Sequence, residues 1–196
     1  MKWIDYLMLF GGIIFILSSC SKSTEYQSDQ NTFDLEGLVN SQVFFLYDNH
    51  YGIHKITKLG SKEEVVEQYP DSSGWANELK ILKTADINKP GVRPYYNFKS
   101  SESFLYSIDS YILNETGRSN TLFQKIYRDK QTNHLARIMV EQRIDNPIYH
   151  SGRYIVIVFK GLEEDVVIID SIKVTGYQKI IFLDTTFYNS ISRIIQ

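Results

Sequence analysis

Cysteine and proline are scarce in this sequence, and neither sign of charge is in excess. Its 196 residues include one cysteine, four prolines and eleven glycines, and 21 basic side chains stand against 23 acidic ones. The low proline and glycine content excludes collagen-like and low-complexity chains, and a single cysteine excludes a disulfide framework. The net charge of -2 offers no electrostatic attraction for nucleic acid, so we expect no nucleic-acid partner.

A short apolar run near the N-terminus predicts a signal peptide over residues 1–19. Residues 6–17 (YLMLFGGIIFIL) carry no charge and follow Lys2, a minimal positive start that Asp5 interrupts. A permanent membrane helix needs roughly 20 apolar residues, so this run is short for one. A positive start, an apolar stretch and small residues after it are typical of a secretory signal.

The apolar run ends in Leu17, Ser18, Ser19 and Cys20. A branched apolar residue, two small residues and a cysteine resemble the lipobox of bacterial lipoproteins. The resemblance implies that fatty chains are attached to the Cys20 thiol, that the chain is cleaved before it, and that the new amino terminus is acylated. Each buried methylene contributes about 0.8 kcal/mol, so several chains would hold the protein firmly on membrane lipid. The alternatives are an ordinary secretory signal and a plain buried cysteine.

Residues 20–31 are predicted to form a flexible tether, because residues 21–31 (SKSTEYQSDQN) are polar and almost free of aliphatic side chains. Among lipoproteins, serine after the cysteine implies the outer membrane. Surface-exposed lipoproteins of Bacteroidota often carry an acidic cluster here, whereas this tether has only Glu25 and Asp29. We therefore expect a lipid anchor in the cell outer membrane, with the periplasmic face favoured over the cell surface.

Residues 32–196 are long enough for one domain of α+β class with its own core. Leu35, Leu38, Gln42 and Leu46 predict a helix that Thr32 or Asp34 caps. Residues 53–59 and 62–69 flank Gly60-Ser61 and predict a hairpin. Trp75, Leu79 and Leu82 predict a second helix over residues 74–86, capped by Ser72 or Ser73 and ended before Pro90.

The rest of the domain is predicted to be an antiparallel β-meander, because short turn signals leave no room for crossover helices. Residues 154–159 (YIVIVF) are apolar throughout, so that strand should be central and covered on both faces. We expect the sheet to curl into a half-open barrel with the two helices against its concave side; a closed barrel is the alternative. The predicted strands are residues 103–113, 121–128, 135–144, 148–160, 166–175, 177–183 and 186–195.

Two stretches of the domain look like elements of small uncharacterised lipoproteins from Bacteroidota. One runs from Trp75-Ala76-Asn77-Glu78-Leu79 into residues 85–90 (ADINKP), and the other is Gly176-Tyr177-Gln178-Lys179. The resemblance supports the order of helix, hairpin, helix and meander. It implies no catalytic or binding residue.

Catalytic and metal-binding patterns are weak. His50 and His54 are four residues apart, but Gly52 lies between them, and a zinc site would need a third ligand such as Asp48, His134 or His150. The carboxylates at residues 63–64 and 163–165 alternate faces or sit at turns, and no nucleophile elbow or phosphate loop occurs. We expect no enzyme activity, no metal and no cofactor. An envelope hydrolase would require titratable groups that the linear sequence does not bring together.

Aromatic residues are the abundant resource, with 14 tyrosines, 11 phenylalanines and two tryptophans. Core packing and strand propensity account for most of them. The functional alternative is an amphipathic groove near Arg93 and Lys99 for a lipid, glycan or hydrophobic peptide. Its predicted lining is Trp75, Tyr95, Tyr96, Tyr106 and Tyr111.

The sequence therefore favours a lipid-anchored, non-catalytic interaction or assembly module of the envelope, with an envelope protein as partner. This function predicts an exposed apolar strip larger than a monomer usually shows. The alternative is a ligand-binding lipoprotein with a pocket of several hundred cubic ångströms. Two short segments, Asp170-Ser171-Ile172 and Asp184-Thr185-Thr186, are also similar to the acceptor motif of Bacteroidota O-glycosylation.

Overall fold

The computed structural model describes residues 32–162 and 166–196. The predicted signal peptide, Cys20 and the tether lie outside the described residues, and so do the three acidic residues at 163–165. Within the described residues, three α-helices and one short 3-10 helix accompany a single nine-stranded sheet.

The first helix, α1 (Leu35–Asp48), confirms the prediction from apolar spacing. Its N-cap is Asp34, whose side chain accepts a hydrogen bond from the Gly37 backbone N–H at 2.8 Å. Side chains at helical spacing point into the core, and the buried ones are Leu35, Val39, Gln42 and Leu46. The hairpin of β1 (Gly52–Leu59) and β2 (Lys62–Gln68) is also confirmed, with Gly60 at φ +57° in its turn.

The second predicted helix is interrupted. It consists of α2 (Ser72–Glu78) and the single turn α3 (Lys80–Lys83), so the prediction of one helix to residue 86 is wrong. Its N-cap is Asp71, whose carboxylate accepts from the Gly74 N–H at 2.7 Å, and not Ser72 or Ser73. A 3-10 helix (Arg93–Tyr95) then leads into the meander.

All neighbouring strands of the sheet are antiparallel, which confirms the meander. The order across the sheet is β2-β1-β9-β8-β7-β6-β5-β4-β3, so β2 and β3 are its edges and the closed barrel is excluded. The meander strands are β3 (Tyr96–Glu102), β4 (Tyr106–Leu113), β5 (Thr121–Asp129), β6 (Leu135–Asp145), β7 (Tyr149–Gly161), β8 (Val167–Ile180) and β9 (Thr186–Ile195).

The meander differs from the prediction by more than one residue in three places. The edge strand β3 (Tyr96–Glu102) is not among the predicted strands. The predicted strand 103–113 begins at Tyr106, because the Ser103 hydroxyl and backbone bond to Tyr106 and reverse the chain there. The predicted strands 166–175 and 177–183 form one continuous strand, β8, with Gly176 inside it. Gly176 is not a turn residue: it leaves space for the Tyr188 side chain, which would lie 2.5 Å from an added Cβ.

The sheet buries one face against the helices, and no described residue forms a layer over the other face, which we call the open face. In β7 the buried residues are Ile155, Ile157 and Phe159, whereas Tyr154, Val156 and Val158 are partly exposed. The strand is central, as predicted, but the prediction that both its faces are covered is wrong. A continuous apolar run is compatible with burial on one face when the other face carries β-branched residues.

Gln42 connects α1 to the sheet. Its carboxamide donates to the Val167 carbonyl at 3.0 Å and accepts from the Ile169 N–H at 2.8 Å. These two groups of β8 lie beyond the end of its ladder with β9, which stops at Ser171, and next to an irregularity in its pairing with β7. The side chain therefore supplies the hydrogen bonds that a neighbouring strand would otherwise make.

Two further glutamines, Gln142 and Gln124, are buried under the helices. The side chain of the first is hydrogen-bonded, whereas that of the second has no partner among the described residues. The Gln142 carboxamide donates to the Thr84 carbonyl at 3.0 Å and to the Thr121 hydroxyl at 3.1 Å, and accepts from Arg153 Nε at 2.7 Å. Gln124 is 0% exposed, and within the described residues its amide nitrogen and oxygen have no hydrogen-bond partner.

We predict opposite effects when each buried glutamine is replaced by methionine. Gln142→Met should lower the free energy of unfolding by about 2–3 kcal/mol, because the Thr84 carbonyl, the Thr121 hydroxyl and Arg153 Nε each lose a hydrogen bond to the carboxamide. Gln124→Met should raise it by about 1 kcal/mol, because the unsatisfied amide disappears at similar volume. Urea denaturation of both variants measures the difference. A loss of stability in Gln124→Met as large as that in Gln142→Met would contradict the assignment.

Candidate functional site

Several turns of the sheet lie at the same end because neighbouring strands are antiparallel. The β8–β9 turn lies between the β1–β2 and β6–β7 turns: Gly60 N–H bonds to the Phe187 carbonyl at 3.0 Å, and Ile181 N–H bonds to the Ile148 carbonyl at 2.9 Å. The three turns therefore form one continuous surface.

This surface is apolar and exposed. Seven large hydrophobic side chains, each at least 42% exposed, make up what we call the sheet tip: Leu59, Ile148, Ile180, Ile181, Phe182, Leu183 and Phe187. Single exposed hydrophobic residues are ordinary on soluble proteins, but a contiguous group of them marks an interaction surface. The opposite end also exposes Phe104 and Leu105, at the β3–β4 turn beside the edge of the sheet.

Phe182 is the most unusual residue of the sheet tip. It is 94% exposed, and its φ of +66° lies in the left-handed region. The turn is closed by a hydrogen bond from Leu183 N–H to the Ile180 carbonyl at 3.0 Å, which makes Phe182 its third residue. Glycine or asparagine is the usual residue at such a position, because an L-residue with a bulky side chain is strained there.

A cleft lies beside the sheet tip and shares Phe187 with it. Its volume is about 510 Å³. It is lined by Glu141, Arg143, Gly152, Arg153, Tyr154, Thr175, Gly176, Tyr177, Phe187 and Tyr188. The size falls within the range of ordinary ligand pockets.

Two strand glycines shape this cleft. Gly152 is directly opposite Tyr177 in the β7–β8 ladder, and a Cβ added at Gly152 would meet the Tyr177 ring at 2.7 Å. Gly176 is directly opposite Tyr188 in the β8–β9 ladder. Because Gly176 and Tyr177 are adjacent in β8, these two pairs lie on opposite faces of the sheet: the Tyr177 ring covers bare backbone on the open face, and the Tyr188 ring covers it on the side of the helices.

The aromatic side chains of the cleft are held in place by their neighbours. The Tyr154 ring contacts Phe123 edge-on, with ring centroids 6.0 Å apart. Partial burial raises the pKa of the Tyr154 hydroxyl, and the neighbouring Tyr127 and Glu141 raise it further. Burial also raises the pKa of Tyr188. Both hydroxyls therefore stay protonated at neutral pH and can donate hydrogen bonds.

The five residues predicted to line an aromatic groove do not share one surface. Trp75, Tyr96 and Tyr111 are buried in the core, and the Tyr96 hydroxyl donates to Ser119 Oγ at 2.8 Å. Tyr95 is partly exposed at the end of the 3-10 helix, and the Tyr106 ring packs edge-on against Tyr127. Arg93 lies in the 3-10 helix, and Lys99 is exposed on the edge strand β3.

The histidines lie apart in the fold. His50 follows α1 with a φ of +55°, His54 is in β1, His134 is in the β5–β6 connection, and His150 Nδ1 is 2.5 Å from Asp145 Oδ1. Within residues 32–162 and 166–196, no three His, Cys, Asp or Glu side chains are grouped so that they could hold a metal ion.

Of the two glycosylation-like segments, residues 170–172 lie in β8, and Asp184 and Thr185 are exposed in the β8–β9 turn.

Comparisons with known proteins give no relative for this chain: no family model, curated protein or solved structure matches it. Among the helices of the described residues, none combines the length and the apolar character that a membrane span requires. The candidate site therefore rests on the geometry of the sheet tip and the cleft.

The strain at Phe182 leads to a stability prediction. Phe182→Asn should raise the free energy of unfolding by about 1 kcal/mol, because asparagine tolerates the left-handed region and an exposed ring contributes almost no burial. Phe104→Asn is the matched control, since Phe104 is 95% exposed and is not among the residues with positive φ. Thermal and urea unfolding measure both variants. Equal changes in the two would contradict the strain at residue 182.

Proposed function

We propose that this chain is a lipid-anchored protein of the cell envelope that acts as a non-catalytic interaction module, with the sheet tip as its docking surface for a partner protein. The single observation that carries the proposal is Phe182: its ring is 94% exposed, and its backbone lies in the left-handed region, where glycine or asparagine is the usual residue. Strained residues persist where function requires the side chain that they present.

The sheet tip has the chemistry of a protein interface core. Its turn over residues 180–183 contains only isoleucine, phenylalanine and leucine. Burial of such side chains contributes about 25 cal/mol for each Å² of apolar surface removed from water. An aromatic anchor surrounded by aliphatic residues is a typical binding hot spot.

The two edges of the sheet support the tip as the docking surface, because both edge strands carry charged residues that oppose strand addition: Lys99 and Glu102 in β3, and four residues of β2. The edge strand β2 has the sequence KEEVVEQ, and Lys58 pairs with Glu63 at 2.7 Å on the neighbouring strand. Charged residues on an edge strand oppose the pairing of another chain. The partner is therefore expected at the turns.

The lipid anchor is the second part of the proposal. Confinement to a membrane raises the effective concentration of the domain near membrane partners. We propose that Cys20 carries the anchor and that the anchor lies in the periplasmic face of the outer membrane. We also propose that the sheet curls into a half-open barrel.

The anchor is tested by replacing Cys20 with alanine. We expect Cys20→Ala to move from the membrane fraction to the soluble fraction, because the lipid chains have no attachment atom. Membrane fractionation with mass spectrometry of the N-terminal peptide measures the result, and Ser19→Ala serves as the matched control because alanine keeps the residue small. Unchanged membrane association, or an unacylated Cys20 in the wild type, would remove the anchor from the proposal.

The docking surface is tested by a photocrosslinking amino acid placed at residue 182 in the full chain in its own host. We expect a discrete crosslinked protein from position 182 and none from position 104, which is equally exposed at the other end of the sheet. A Leu183→Ser change in the same chain should reduce the adduct several-fold, because it removes apolar area beside the anchor. Equal labelling from both positions would mean non-specific contact, and the proposal would fail.

A further inference from the structure

The cleft beside the sheet tip is lined by several charged and polar side chains. Glu141 and Arg143 are two residues apart in β6, so they lie on the same face of the sheet. In the part of the chain that the structure describes, neither side chain forms an ion pair or a hydrogen bond. Both line the cleft.

Thr175 also lines the cleft. It is directly opposite Asn189 in the β8–β9 ladder, a residue that lies next to the cleft lining and is not part of it. The side-chain oxygen of Asn189 is buried, and within the described residues it has no hydrogen-bond partner. A buried polar atom without a partner is rare in folded proteins and calls for an explanation.

Aromatic rings form the apolar part of the cleft. The Tyr177 and Phe187 rings are neighbours, with centroids 6.4 Å apart. Tyr177 lies against the bare backbone of Gly152, which holds the ring close to the sheet. Tyr154 lines the cleft as well and is directly opposite Glu141 on the neighbouring strand. Large rigid rings therefore stand next to a carboxylate and a guanidinium that have no partner among the described residues.

We propose that this cleft is a binding site for a neutral carbohydrate. A pyranose ring has apolar C–H faces and a rim of hydroxyl groups, so it needs an aromatic surface and polar groups beside it. The Arg143 guanidinium donates to hydroxyl oxygens, and the Glu141 carboxylate accepts from hydroxyl groups. Three charged residues line the cleft: Arg153 is hydrogen-bonded to Gln142 and Thr84, and the remaining two, Arg143 and Glu141, carry opposite charges. The charged groups left for a ligand therefore balance, which favours a neutral ligand over an ionic one.

The proposal is independent of the sheet tip as a protein-docking surface, since it concerns the open face and different polar residues. Phe187 is the one residue that belongs to both. Either proposal can therefore fail alone: loss of the crosslink at residue 182 leaves carbohydrate binding unchanged, and absence of carbohydrate binding leaves the crosslink unchanged.

The test is saturation-transfer NMR and calorimetry on the full chain in detergent, with maltotriose, cellotriose and triacetylchitotriose as neutral probes and trialanine as the peptide comparison. We expect saturation transfer from aromatic protons to the C–H groups of at least one trisaccharide. Arg143→Gln should weaken that binding at least about tenfold, because hydrogen bonds to charged groups are lost. Arg118→Gln, an exposed arginine outside the cleft, should leave it unchanged.

A second variant tests whether binding depends on the close contact between Gly152 and the Tyr177 ring, and it removes no polar group. Gly152→Ala should displace the Tyr177 ring and weaken trisaccharide binding, whereas Gly91→Ala, where an added Cβ meets nothing within 4 Å, should not. Circular dichroism verifies that each variant is folded. Binding of trialanine in preference to every trisaccharide, no binding of any trisaccharide, or equal weakening by Arg143→Gln and Arg118→Gln would overturn the proposal.

Discussion

The long antiparallel ladder between β7 and β8 is the constraint on which the rest of the structure depends. It runs from Tyr149 opposite Ile180 to Gly161 opposite Val167, and it lies in the centre of the sheet. Because side chains alternate along each strand, this register decides which residues face the helices and which face the open side. The same ladder brings Gly152 opposite Tyr177, which forms the floor of the cleft, and ends at the turn that presents Phe182.

Hydrogen bonding under the helices shows how the domain combines apolar packing with fixed register. Gln42 joins α1 to the part of β8 that lacks a β9 partner, and Gln142 joins Thr84 after α3 to β5 and to Arg153 of β7. A satisfied buried amide contributes specificity because it tolerates only one arrangement of its neighbours. The helices therefore sit in one defined position, although they are short and most of their stability comes from tertiary contacts.

The two proposed sites lie side by side for a geometric reason. In an antiparallel meander every second turn falls at the same end, so residues distant in sequence meet there. The sheet tip collects Leu59, Ile148 and the 180–183 turn in this way, and the cleft lies a few residues further along the same strands. Both proposed sites are therefore at one end of the sheet, with Phe187 between them.

Some of this arrangement could be read from residues alone, because the signals are local. The helix spacing from Leu35 to Leu46, the Asp34 cap and the Gly60 turn each depend on neighbours within a few positions, and the structure contains all three. Length, cysteine count and the lipobox resemblance also come from the chain itself. The candidate groove from Trp75 to Tyr111 was less predictable, since aromatic density does not distinguish core from surface.

Tertiary structure alone decided the features on which the proposed functions rest. Glycine is a common turn residue, yet Gly176 lies within β8. Its missing side chain leaves the space that Tyr188 on the next strand occupies. The Phe182 turn contains no glycine or proline, so its position follows from where the β8–β9 ladder ends. By itself the sequence determined composition, local helices and alternating strands. Long-range pairing determined which side chains meet, because register is a property of two strands together and cannot be specified by either strand alone.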